Sequence, residues 1–331
     1  MTTIKDVANL AGVSPAAVSR ILNFDNSLSV SDETRRKVLE VAEKLQYKKH
    51  GKKVKKSGDR IAIIQWRSDE EEMNDLYYYQ IQYGIESEAA AVGVATERLS
   101  LTASVQINMD QYSGIIAIGK FDRTEVEQLS HYGQPIVFIG ENYLLHRFDS
   151  VQSDFVSPVH WIINHFLDLN ITDIGMLAGK EQTTTHHSTV RDPRIATFTS
   201  RMTELGLFEE RFFFQGAYNP DSGYELMNNA IHTLQDRLPH VFIIGSDAMA
   251  IGALRALQQS NIEVPNRVSL ISFNDVAIAK YASPTLSTVH VHTELMGQKA
   301  FELLLKRIKN PQKVPEAILL GTTIIKRESS L

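Results

Sequence analysis

From Arg60 onward, short apolar runs recur: RIAIIQW (60–66), SGIIAIG (113–119), PIVFIG (135–140), DIGMLAG (173–179), HVFIIGSD (240–247) and VSLISFND (268–275). They are continuous rather than alternating and rich in β-branched residues, as strands buried on both faces should be. Between them, 77–92, 158–169, 222–235, 247–259 and 294–308 carry apolar residues at helical spacing. Strands alternating with helices predict an α/β protein whose parallel sheets are covered on both faces. Six such runs plus terminal strands suit two doubly wound subdomains. Ligands of such sheets sit beyond the carboxyl ends of the strands. That rule makes Trp66, Ser246, Asp247, Asn274 and Asp275 candidate contacts.

The first fifty residues have a different texture. TIKDVANLA places Ile4, Val7, Ala8 and Ala11 on one helical face. In GVSPAAVSRILN, Gly12 supplies a turn, Ser14 an N-cap for the amide of Ala16 or Ala17, and Pro15 the first helical position. Val13 before the cap can staple onto Val18. SDETRRKVLEVAEKLQY starts at a Ser31 cap and buries Val38, Val41, Ala42 and Leu45. Three short helices with a tight turn between the first two make a helix-turn-helix unit, or else an ordinary small helical bundle.

Charge separates the two regions further. The net charge is −5, yet residues 1–58 hold 12 Lys and Arg against 6 Asp and Glu. The remainder is therefore strongly acidic. The basic surplus is concentrated in YKKHGKKVKKSGD (47–59), which has no apolar period. Such a run is either a soluble tether or a segment lying along phosphates, with Lys52 and Lys53 at its centre. There is no cysteine, which excludes disulfides and thiolate metal sites. No apolar stretch is long enough to span a bilayer and no signal-peptide pattern opens the chain, so a cytoplasmic protein without membrane contact is expected. P-loop, G-x-S-x-G, H-E-x-x-H and G-x-G-x-x-G motifs are absent, which argues against an enzyme, and no cofactor is expected. His186 and His187 fall in a polar loop without metal-ligand company and read as surface.

TIKDVANLAGVSPAAVSRILN resembles the head of the LacI/GalR transcription regulators, whose pattern is T-x-x-D-V-A-x-x-A-G-V-S-x-x-T-V-S-R-x-L-N. YYYQIQYGIE, RIATF, SDAMAIGALRAL and ISFNDVAIAKYASPTLSTV are similar to later family motifs in the same order, so the resemblance covers essentially the whole chain. NDLYYYQI, DSGYEL and SFNDVAIA are most similar to repressors of β-galactosidase and galactose operons. The resemblance implies a helix-turn-helix head (1–48), a basic linker (49–59) and a core (60–331) of the periplasmic-binding-protein type. Its subdomains would be 60–157 with 290–321, and 158–289 with 322–331, joined by crossings near 157, 289 and 321. This sequence departs from the family at Ala17, where threonine is usual, and at Phe155 and Pro158, where asparagine and glycine are usual. The hinge-helix motif is missing, with Lys49 at its proline and Lys56 at its wedging leucine.

On DNA, Ala16, Arg20 and Asn23 share one face of the second helix. Pro15 and Ala16 suit a thymine methyl, and Arg20 can fork onto a guanine edge. The resemblance adds Thr3, Ser14, Ser19 and Tyr47 as phosphate-holding or positioning residues. In the core it implies a sugar clamp in which Arg194 grips hydroxyls and Asn274 and Asp275 stand at an acidic pair. Ser246 replaces an asparagine there, and Asp154 accepts hydroxyls. Tyr77 and Tyr218 either flank the sugar ring or pack the interior. The expected protein is a homodimeric repressor of operator DNA that answers to a sugar, galactose or a galactoside. A regulator of another small molecule, or a sugar-binding protein without repressor activity, remains the alternative.

Overall fold

The computed structural model describes residues 4–22, 30–31, 34, 36–38, 41–42, 60–66, 76–100, 108–183 and 188–331, apart from the side chains of 4–6, 16, 19, 20, 22 and 100. The chain separates into two compact units, residues 1–54 and 55–331.

In the first unit, α1 (Ile4–Ala11) and α2 (Pro15–Leu22) are joined by a tight turn. Gly12 takes φ +73°, and the amides of Gly12 and Val13 donate back to the Ala8 carbonyl at 2.9 and 3.1 Å. Ser14 Oγ accepts from the Ala17 amide at 3.1 Å, so the serine before the proline is the cap that the sequence predicts. Ser31 Oγ accepts from the Thr34 amide at 3.2 Å, and residues 34, 36–38 and 41–42 are helical. Val7, Ala8, Ala11, Val18, Ile21, Val38 and Ala42 form one buried cluster, against which Val13 and Val41 pack. The expectations for Leu45 and for the linker fall outside the described residues.

The second unit is α/β and holds two six-stranded sheets. The first has the order β11–β5–β4–β3–β1–β2, all parallel, from β1 (Arg60–Gln65), β2 (Ala95–Ser100), β3 (Gly114–Ile118), β4 (Ile136–Ile139), β5 (Asp149–Ser153) and β11 (Ala317–Leu320). The second has the order β12–β10–β9–β8–β6–β7, from β6 (Ile174–Gly179), β7 (Phe213–Gly216), β8 (Val241–Ile244), β9 (Ser269–Asn274), β10 (Ser287–His290) and β12 (Thr323–Ile325). Its strands are parallel except β12, which pairs antiparallel with β10, Val289 facing Ile324. The helices of this unit are α3 (Tyr77–Val92), α4 (Arg123–Ser130), α5 (Val156–Asp168), α6 (Pro193–Glu204), α7 (Pro220–Leu234), α8 (Asp247–Gln259) and α9 (Thr293–Lys309). Among the described residues, none is long and apolar enough to cross a membrane.

Each sheet with its helices forms a lobe with its own core. The chain passes from the first lobe to the second between β5 and α5, returns between β10 and α9, and crosses again between β11 and β12. Helix α9 buries Met296, Phe301 and Leu304 with the strands of the first sheet, whereas α5 buries Ile162, Ile163 and Phe166 with those of the second. Arg307 on α9 donates Nε and Nη2 to the two oxygens of Asp149 on β5, at 2.7 and 2.8 Å, and Glu316 donates its amide to the same carboxylate. The segment between α9 and β11 is thereby tied to the sheet it joins.

Two helix pairs approach until backbone meets backbone. A Cβ added at Gly84 on α3 would fall on the Glu294 carbonyl of α9, and one at Gly252 on α8 would fall on the Pro220 carbonyl of α7. Neither neighbour can swing aside. Gly252→Ala is therefore expected to destabilise the fold by about 1–3 kcal/mol. Gly133→Ser, where the surroundings of the added atom are open, should lose less, from backbone strain at φ +73° alone. Urea denaturation of both variants checks this, and an equal loss would contradict the close helix contact.

Candidate functional site

In the head, the turn delivers Ser14 and Pro15 exposed at the start of α2, ahead of a buried Val18 and Ile21. Ala16, Ser19 and Arg20 follow on the same helix, but their side chains lie outside the described set. Thr3, Asn23, Tyr47, Lys52 and Lys53 lie outside the described residues altogether, as do His186 and His187.

In the core, the carboxyl ends of both sheets face a cleft. An inner chamber of about 50 Å³ has Tyr77, Lys120, Phe155, Glu181, Arg194, Tyr218, Ser246 and Asn274 in its walls. An outer chamber of about 320 Å³ shares Lys120, Gly140, Phe155 and Arg194 with it and adds Glu141, Asn142, Gln152 and Asp192. Five candidates from the sequence thus meet in one chamber: Tyr77, Arg194, Tyr218, Ser246 and Asn274.

Arg194 is the second residue of α6, whose first-position proline follows the cap Asp192. Asp192 Oδ1 accepts the Arg194 amide at 2.8 Å, and its carboxylate also receives the guanidinium, Nε at 3.0 Å and Nη2 at 2.7 Å. Nη2 also donates to the Tyr218 hydroxyl at 2.5 Å, Nη1 donates to the Gly245 carbonyl at 2.6 Å, and Tyr218 donates its own proton to Asp192. The rings of Phe155, Tyr218 and Phe273 stand 5.0, 5.1 and 5.4 Å from the guanidinium carbon. Burial alone would raise the Asp192 pKa, but the Arg194 charge and hydrogen bonds hold it well below the usual carboxylate range. Burial pushes the Tyr218 hydroxyl well above its ordinary value despite the neighbouring cation.

The family resemblance implies that Arg194 grips sugar hydroxyls. In this structure most of its five donors grip Asp192, Tyr218 and Gly245, so Arg194 shapes the wall first and has little left to offer a ligand.

Asn274 ends β9 at φ +110° and Asp275 follows at φ +58°, both in the left-handed half of the map. That geometry is held by buried partners. Asp247 accepts from the Val276 amide at 2.8 Å, from Ser272 Oγ at 2.5 Å and from Thr288 Oγ1 at 2.7 Å. Asp275 accepts from Arg327 at 2.6 Å and lies 3.0 Å from His290 Nδ1. Asp247 and Asp275 thus support the rim rather than line the chamber. Ser246 caps α8 by accepting from the Met249 amide at 3.3 Å, and Tyr77 opens α3.

Two candidates stand apart. Trp66 is buried over Gly119, edge-on to Tyr78 with centroids 6.0 Å apart, and is not in the chamber wall. Asp154 accepts from the amides of Val156 and Ser157 at 2.9 and 3.0 Å at the start of α5. Burial opposes its ionisation, but these bonds outweigh it and lower its pKa.

Lys120, Glu181 and Asp192 were missed. Lys120 and Glu181 each follow an apolar run, where the rule applied to Ser246 would have found them. Asp192 carried the signal of an acidic residue directly before a helix-opening proline.

The chain matches the family model "Bacterial regulatory proteins, lacI family" over residues 3–50 and a periplasmic-binding-protein-like domain over 163–330. It is 49% identical to the HTH-type transcriptional regulator GalR of Lacticaseibacillus casei over 331 residues, covering 100% of each chain. It is 36% identical to the HTH-type transcriptional repressor MelR of Bacillus subtilis (strain 168), covering 99% of this chain and 97% of that one. Solved structures with the same fold include the transcriptional regulator CelR–cellobiose complex, at TM-score 0.70 and 22% identity, covering 99% of this chain and 100% of that one. The lac repressor dimer bound to operator and the anti-inducer ONPF gives TM-score 0.70 and 21% identity, covering 99% and 98%. A helix-turn-helix head with a cleft-bearing, periplasmic-binding-protein-like core defines a class of transcriptional regulator. The chain belongs to the lacI family of bacterial regulatory proteins.

Removing the carboxylate at Asp192 strands a buried guanidinium. Asp192→Asn is expected to lose about 3–5 kcal/mol of stability at neutral pH. Because the folded pKa of Asp192 is depressed, its contribution is present above the ordinary aspartate range and is lost as pH falls through and below it. The gap between wild type and variant in urea midpoints should therefore narrow below about pH 4. A gap independent of pH would contradict the pairing.

Proposed function

We propose that the chain is a repressor that binds operator DNA sequence-specifically and is released when a sugar, galactose or a galactoside, binds in the cleft. The observation that carries this reading is the chamber lined from both lobes, Tyr77 from the first and Arg194, Tyr218, Ser246 and Asn274 from the second, in a chain that opens with a capped α2. A ligand touching both lobes favours one arrangement of them, and that preference is the most it can withdraw from DNA affinity. Aromatic faces suit the C–H surface of a sugar, and an amide that both donates and accepts suits its hydroxyls. The similarity of NDLYYYQI and DSGYEL to galactose-type repressors supports the choice of sugar.

The working unit is a cytoplasmic homodimer with the head over 1–48, the linker over 49–59 and the core over 60–331. One small head offers little surface for a tight specific site, whereas two read a pseudo-palindrome. Tyr79 and Tyr83 on α3 and Leu295 on α9 are exposed around a hollow of about 620 Å³, which supports pairing with a second copy.

A mobility shift on DNA upstream of the chain's own gene, titrated with galactose, lactose and cellobiose, tests the proposal. Retention of the DNA at every sugar concentration would refute it. Arg20→Ala should weaken specific binding by about 1–3 kcal/mol and relax one symmetric base position. Equal weakening on random DNA would assign Arg20 to phosphate. Asn274→Ala should abolish release by galactose while leaving operator affinity nearly intact, and release at wild-type sugar concentrations would remove Asn274 from the site.

A further inference from the structure

Lys120 follows β3 in the first lobe and Glu181 follows β6 in the second, and both line the inner chamber beside Ser246 and Asn274. Lys120 Nζ lies 3.0 Å from Glu181 Oε2, with only 13% and 10% of the two side chains exposed. Next to them, Thr183 Oγ1 donates to Asp122 Oδ2 at 3.1 Å, again between lobes. Opposite charges from the two lobes therefore meet at the chamber wall.

The charges around the cleft narrow what it can hold. Among the described residues lining the two chambers, the cations are Lys120, Arg191 and Arg194, and the acids are Glu141, Glu181 and Asp192. Arg194 is committed to Asp192 and Lys120 stands against Glu181, while Arg191 is exposed. A phosphate entering the inner chamber would find each described cation there already facing a carboxylate. Taking such an anion from water without a partner is costly. A hydroxyl meets no such penalty, because it accepts from an ammonium and donates to a carboxylate at once.

We propose that Lys120 and Glu181 are effector-recognition residues, taking an uncharged polyhydroxyl ligand between them and excluding the phosphorylated form of the same sugar. The proposal rests on the sugar-sensing reading of the cleft.

Calorimetric titration of the full chain with D-galactose, D-galactose 6-phosphate and inorganic phosphate tests it. Wild type is expected to prefer galactose over its 6-phosphate by about a hundredfold or more. Glu181→Gln keeps the side chain's size but removes the carboxylate 3.0 Å from the ammonium, leaving it the more distant Glu141 and Asp192. That variant should lose about tenfold for galactose and gain affinity for the phosphosugar, closing the preference to within about tenfold. Lys120→Met should weaken galactose and leave phosphate unbound, and Glu181→Asp, which keeps the charge, should restore the wild-type preference. An unchanged preference in Glu181→Gln overturns the assignment.

If wild type binds neither sugar, the galactose reading of the cleft fails. The charge argument then stands on inorganic phosphate alone, which Glu181→Gln must bind more tightly than wild type. Equal binding by the two overturns it.

Discussion

The buried pair of Arg194 and Asp192 is the interaction on which the cleft depends. One carboxylate caps α6, neutralises the guanidinium and accepts the Tyr218 proton, while the guanidinium reaches across to the Gly245 carbonyl at the end of β8. This cluster fixes three pieces of the second lobe against each other, the start of α6, the end of β8 and the segment before α7, and sets the guanidinium against the rings of Phe155 and Phe273. A charge pair this deep offsets its desolvation only through such complete hydrogen bonding. Its value here is geometric, because it holds the wall of a chamber in one shape. The Asp247 cluster does the same for the left-handed turn at Asn274 and Asp275.

The first lobe completes the chamber with Tyr77 and Lys120, and the chain crosses three times between the lobes. Contacts between the lobes are polar at Lys120–Glu181 and Asp122–Thr183 and apolar where Val190 and Phe155 pack against the core of the first lobe. The polar contacts can be exchanged for ligand hydroxyls at little net cost. In the proposed mechanism the sugar's differential affinity for two arrangements of the lobes becomes the shift in operator affinity.

What the sequence disclosed follows from burial. The six apolar runs became β1, β3, β4, β6, β8 and β9, which occupy the interior of the two sheets. The strands that no apolar run marks include the sheet edges β2, β7, β11 and β12, while DSVQS and STVH are buried strands whose polar residues meet polar partners, Asp149 with Arg307 and Thr288 with Asp247. The helix start at Ser14 and Pro15 was legible because capping and proline placement are local. The chamber was legible at Ser246 and Asn274, at the carboxyl ends of β8 and β9, and at Arg194, Tyr77 and Tyr218 through the family motifs. Trp66 followed a strand too but turned inward, over the glycine at 119. The commitment of Arg194 to Asp192 could not be read from spacing, since two residues beside a proline show no sign of which side chain folds back on which.

The central claim is that binding in the cleft and binding to DNA share one free energy. Calorimetric titration of galactose into the free protein and into the protein saturated with operator measures it directly. Linkage requires the operator to weaken galactose binding by the same factor by which galactose weakens operator binding. Equal galactose affinity in the two states would show that the cleft does not control the head.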